Sequence, residues 1–211
     1  MGFFSEQTGD ASPGNASRGD RPLSLSPGTY HVQITRSFDI AGDPEKGDYY
    51  RLFGVEGTVL ETVYAYKEGE VGPIGTSVGQ ASRRPGQRVS HKWDLNGKWK
   101  NIGARKAREL SEALITTHGF REALSTDILQ EDGESSGVQF IEIFDEMQSE
   151  GEDIHSFVAD LCLEHPDLFS GLILAVVTDE LLDKDQKRRS DPMTKNALSG
   201  VSRETFERLT Q

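Results

Sequence analysis

The sequence predicts a β-rich α+β fold, and three patterns carry that prediction. Residues 28–40 alternate apolar and polar with a period of two. Tyr49 to Tyr66 is a long run of β-branched and aromatic residues. Near position 100 the apolar period lengthens from that of a strand to that of a helix, and an apolar run follows at Gly171 to Leu182. Period two marks a half-buried strand, and apolar residues three and four apart mark a helix.

The elements follow in order. Residues 1–26 are rich in Gly, Ser, Asp and Pro, with Phe3 and Phe4 the only bulky side chains, and read as a disordered arm. Order begins near Pro27-Gly28. In the first strand Val32, Ile34, Phe38 and Ile40 share one face, while His31, Gln33, Thr35, Ser37 and Asp39 share the other. The turn formers of AGDPEKGD close it. The second strand, YYRLFGVEGTVLETVYAY, contains Gly54 and Gly57, which predict bulges or a sharp coil. After a Gly-rich loop, residues 87–95 read as a third strand, with Val89, His91 and Trp93 on one parity and Arg88, Ser90, Lys92 and Asp94 on the other. Asn96-Gly97 is a turn signal. A helix is expected from Asn101 to about Thr117, with Ile102, Ala107, Leu110 and Leu114 on one face and Gly119 as its stop.

Residues 127–168 form an acidic insertion with two short helices, one marked by Phe140, Ile141, Ile143, Phe144 and Met147, the other by Ile154, Phe157, Val158 and Leu161. Gly171 to Leu182 supplies a buried closing strand. Residues 27–182 therefore make one domain, and 183–211 read as a polar C-terminal tail whose Val201, Phe206 and Leu209 can form a short helix.

Composition narrows the function classes. The chain has 211 residues, a net charge of −12 and 35% hydrophobic residues. No apolar run reaches membrane-spanning length. The N-terminus has no secretory pattern, and a cytoplasmic protein is expected. The one cysteine, Cys162, lies in an apolar helical pattern and is expected to pack as a small hydrophobe. The five histidines show no zinc spacing. GPIGTSVG (72–79) lacks the lysine of a phosphate loop. DKDQKRRSD (183–191) places Lys187 and Arg188 where calcium would need oxygen ligands and Gly. GESSG (133–137) is not a nucleophile elbow. No enzyme, metal or cofactor is predicted.

Charge is distributed unevenly. Between Arg83 and Arg108 stand nine basic residues and one acid, Asp94, a local balance of +8 within an acidic chain. Both tryptophans, Trp93 and Trp99, lie inside this stretch. Basic groups attract phosphates and aromatic faces stack on bases, so the pattern indicates a local nucleic-acid track. Trp93 shares parity with Val89 and suits a core position, which leaves Trp99 the better stacking candidate. Tyr49, Tyr50, Tyr64 and Tyr66 can stack or pack. On the helix, Arg105, Lys106 and Arg108 precede Glu109 and Glu112, against the preference of the helix dipole.

Three motifs extend this reading: GTYHVQI (28–34), VEGTVLET (55–62), and PGQRVSHKWDL (85–95) followed by NIGARKARELSEAL (101–114). In order and spacing the chain resembles the single-stranded-DNA-binding proteins of bacteriophages, the small OB-fold family of phage replication and recombination modules. The resemblance covers roughly residues 27–117, with 171–179 as closing strand. It implies an OB-like curved β-barrel with the helical segment inserted, binding single-stranded DNA with little sequence preference in a bacterial host's cytoplasm. Replication or recombination proteins would be its partners, and self-association is compatible with it. Carried over, it nominates Arg83, Arg84, Arg88, Lys92, Trp93, Lys98, Trp99 and Lys100. Arg105, from the same basic run, completes the candidate set. The alternative is a protein–protein adaptor or virion component that displays the acidic lobe and binds no nucleic acid. A third reading is an accessory factor for a nuclease or recombinase.

Overall fold

The computed structural model describes residues 28–42, 45, 51–65, 85–94, 100–130, 133–182 and 188–211. At 64–65, 91–94, 100–102, 179–182 and 188–196 the backbone alone is described. The expected N-terminal arm lies outside these residues.

The architecture is α+β. Three strands, β1 (Gly28–Ala41), β2 (Arg51–Ala65) and β3 (Arg88–Asp94), form an antiparallel meander. Helix α1 (Lys100–Thr116) follows, as its apolar spacing predicts. After α2 (Phe120–Leu124) the insertion holds a small hairpin of β4 (Asp127–Leu129) and β5 (Ser135–Gln139), then α3 (Phe140–Glu150) and α4 (Ile154–Glu164). The chain then returns as β6 (Ile173–Leu182), β7 (Arg188–Gly200) and α5 (Arg203–Thr210). The main sheet has the order β3-β2-β1-β6-β7, every neighbouring pair antiparallel. Among the described residues it does not close into a barrel, and β3 and β7 remain its edges. Helix α1 packs against both of them. Val32, Ile34, Val55, Val89, Leu110 and Leu198 line a hollow between sheet and helix.

The inner face of the sheet carries Tyr30, Val32 and Ile34 from β1, Phe53 and Val59 from β2, Val89 from β3, and Leu174 and Val176 from β6. Leu110, Ala113 and Leu114 of α1 cover them. This core runs on through α2 to the insertion, with Phe120 edge-on to Phe144 at 5.4 Å and stacked on Phe169 at 5.9 Å. Such aromatic contacts add to burial energy. Cys162 is buried in the same cluster, and burial pushes its thiol up to about 12. No described helix is long and apolar enough to cross a membrane.

Three expectations are corrected. First, β1 does not keep one parity throughout. Ile34 pairs with Gly57 and Arg36 with Glu56, so Thr35 is an extra residue and the side chains beyond it change face. Ser37 enters the interior while Ile40 is 41% exposed. The end of α4 supplies the reason. The last carbonyls of a helix lack internal partners. The Ser37 hydroxyl donates to the Cys162 carbonyl and, at 3.2 Å, to that of Pro166, which also accepts the Ser37 backbone N–H at 2.8 Å. A hydroxyl can make these bonds and Phe38 could not. Second, the bulges of β2 are not at its glycines. They fall near Leu60 and Val63, and Gly57 marks a close approach instead: a Cβ there would stand 2.6 Å from the Gln33 carbonyl oxygen and from a Val32 methyl.

Third, residues 188–211 are not a tail. β7 pairs with β6 from Gly200 opposite Leu174 to Met193 opposite Leu181, and the register then jumps to Arg188 opposite Leu182. Pro192 falls in that jump, on an edge strand, where a missing N–H is tolerated. The strand ends against the last turn of α1. The buried Thr117 hydroxyl donates to the Ile173 carbonyl at 2.6 Å and accepts the Val201 N–H at 3.0 Å, while the His118 N–H donates to the Val201 carbonyl at 2.9 Å. Helix α5 is capped by Ser202 and set against His118 by Phe206, rings 5.1 Å apart and edge to face.

Candidate nucleic-acid interface

The bulge at Thr35 decides what the outer face of the β1–β2–β3 meander displays. Beyond it Arg36, Phe38 and Ile40 point away from the core, opposite the buried Ser37. Across the sheet Arg36 pairs with Glu56 and Glu56 with Ser90; Phe38 pairs with Gly54 and Gly54 with Lys92; Ile40 pairs with Leu52. Phe38 is half buried on this face and Ile40 is exposed, and Gly54, the residue opposite Phe38, adds no side chain between them and β3. The result is an apolar strip with cationic positions at its margin.

Two of those cations, Arg36 and Arg88, share one carboxylate. Glu56 accepts two hydrogen bonds from the Arg36 guanidinium, each 3.2 Å, and one from Arg88 at 3.1 Å. The two arginine side chains are 54% and 52% exposed, whereas that of Glu56 is 12% exposed. The carboxylate therefore lies low between two guanidinium groups that project into solvent.

Farther along the same face the His31 ring meets Glu61 at 2.8 Å, and Arg208 of α5 grips Glu61 with two hydrogen bonds of 3.1 and 2.8 Å. The Arg208 hydrogen bonds, then that of His31, hold the Glu61 carboxyl down to about 2. A carboxyl with a lowered folded-state pKa stabilises above the ordinary carboxylate range, and its contribution is lost as pH falls from there towards 2. Acidification should thus loosen α5. Hydrogen exchange, corrected for intrinsic rates, should show protection of residues 203–210 falling across that window in the wild type. In Arg208→Ala protection should be low throughout. An equal acid response in both proteins would rule out this latch.

The nominated residues fare differently. Arg88 lies exposed on the outer face. Lys92 shares its alternate positions on β3, while Trp93 occupies the other set, with Val89, and stands opposite the buried Phe53. Lys100 is the first residue of α1. Arg105, also on α1, is exposed and 3.9 Å from Glu109; α1 covers the inner side of the sheet, so Arg105 is not on the β1–β3 face. Arg83, Arg84, Lys98 and Trp99 lie outside the described residues. The adverse charge order of α1 is offset by pairs within it, Arg105–Glu109, Lys106–Glu109 and Arg108–Glu112.

Sequence reasoning missed Arg36 and Phe38. A strict alternation assigns Phe38 to the core, and nothing in the residue string marks Thr35 as extra. A Ser–His pair also appears, Ser111 with His155 at 3.2 Å. Ser111 is buried and donates to the Arg108 carbonyl, and Asp153 accepts the backbone N–H groups of His155 and Ser156 as the cap of α4. The pair joins two helices and presents no accessible nucleophile. Compared with family models, with curated proteins and with solved structures, the chain matches none.

Proposed function

We propose that this chain binds single-stranded DNA, without catalysis, on the outer face of β1, β2 and β3. The observation that carries the reading is the outer-face strip of half-buried Phe38 and exposed Ile40, bordered by Arg36, Arg88 and the Lys92 position. Aromatic faces stack on any base and guanidinium groups contact phosphates, so such a surface holds a single strand with little sequence preference. The acidic remainder of the chain disfavours binding elsewhere and keeps the protein soluble.

The sheet, on this reading, is an OB-type barrel left open between β3 and β7. Five antiparallel strands with a helix after the third support it, since OB-folds are partly open and bind oligonucleotides on the face of their second and third strands. The resemblance to phage single-strand-binding proteins supports a role in phage replication or recombination within the bacterial cytoplasm.

A salt titration tests the proposal. A fluorescent oligothymidine should bind at low salt and weaken steeply as salt rises. Each neutralised phosphate contributes about −0.7 to the slope of log affinity against log salt, so three contacts give roughly −2. No binding at low salt, or a flat response, would overturn it and favour an adaptor.

A further inference from the structure

We propose that Glu56 is a built-in competitor of the nucleic-acid phosphate, which sets both the affinity and the salt response of the β1–β3 face. The inference rests on the proposed single-strand-binding reading. A carboxylate at the centre of a phosphate-binding strip is otherwise unexpected, because it repels the ligand. Here it bridges Arg36 and Arg88 through three hydrogen bonds of 3.1–3.2 Å. The Arg36 fork spans both carboxylate oxygens and Arg88 adds a single donor to one of them, an arrangement that would serve equally around two oxygens of a phosphate.

Two effects oppose each other. Glu56 holds two long side chains in one orientation, which spares part of their ordering cost on binding. It also places a full negative charge beside the anion. That separation is within the Debye length of about 8–10 Å at ordinary ionic strength, so salt screens the repulsion only in part. Exposed ion pairs contribute little to holding side chains in place. Repulsion therefore outweighs positioning, and the carboxylate lowers affinity. Its burial, at 12% exposure, keeps it from swinging away when DNA arrives. The benefit is a strand that exchanges readily instead of binding irreversibly.

Glu56→Gln isolates the charge, because the amide oxygen can still accept from one guanidinium while the negative charge is gone. Oligothymidine should bind the variant about three to ten times more tightly at low salt. Because salt screens the repulsion, the gain should shrink as salt rises, so log affinity should fall more steeply with log salt in the variant than in the wild type. Glu56→Thr, which favours a strand conformation, is the second variant and should show the same direction, with thermal melts checking that each protein is folded. Wild-type binding with affinity unchanged or weakened in both folded variants overturns the inference and leaves the single-strand reading intact. Failure of the wild type itself to bind at low salt overturns both.

Discussion

Replacing Gly200 with alanine is expected to destabilise the fold by about 3 kcal/mol, near the upper end for overpacking by one methyl group. At this chain length that corresponds to a fall in Tm of roughly 6–12 °C. An alanine Cβ would stand 2.4 Å from the Thr117 nitrogen, 2.5 Å from the Thr116 carbonyl carbon and 2.6 Å from the Thr117 Cα. All three are backbone atoms, so no rotamer change relieves the clash. Neither side can retreat cheaply. The Thr117 side chain is bonded at once to Ile173 and Val201, and His118 to Val201. Moving α1 away would break these bonds and open the contact between α1 and β7. Ser199→Ala, exposed on the neighbouring residue, should change stability by no more than about 0.5 kcal/mol. Equal melting temperatures for the two variants would show that β7 does not end against α1 as described.

The two contacts that glycine makes possible illustrate what could and could not be read in the sequence. Gly57 lies in a β-prone run, where a glycine invites the reading of a bulge. Its actual role, room for the backbone of β1, depends on a strand about 24 residues away. Local patterns placed β1, β2, β3, α1 and the apolar strand β6, because each shows its own period over enough residues. They failed for β7, whose RRSDPMTKNALSG carries a proline and few β-formers. That strand exists because β6 offers it a free edge and Thr117 fixes its end, which are tertiary facts. The hairpin β4–β5 was hidden for the same reason, with three- and five-residue strands too short to show alternation. The candidate surface was half legible. Arg88 and Lys92 follow from the parity of β3. Arg36 and Phe38 follow only from the bulge at Thr35, which brings the Ser37 hydroxyl to the carbonyls of Cys162 in α4 and Pro166 just beyond it.

That bulge makes the sharpest test of the surface. Phe38→Ala should weaken single-strand binding by about 1–3 kcal/mol if a base stacks on the ring, which is a factor of roughly 5 to 150. The cost to stability should be well below the 3–5 kcal/mol of a fully buried phenylalanine, because Phe38 is only half buried. The double variant Arg36→Gln with Arg88→Gln should behave differently. It loses two phosphate contacts, so its slope of log affinity against log salt should become shallower by about 1.4. Phe38→Ala should leave that slope unchanged, since stacking releases no counterions. Both measurements use one fluorescent oligonucleotide over one series of salt concentrations. A large stability loss with unchanged affinity in Phe38→Ala would return the ring to the core and the strand to a single parity. An unchanged slope in the arginine variant would move the phosphate track off this face altogether.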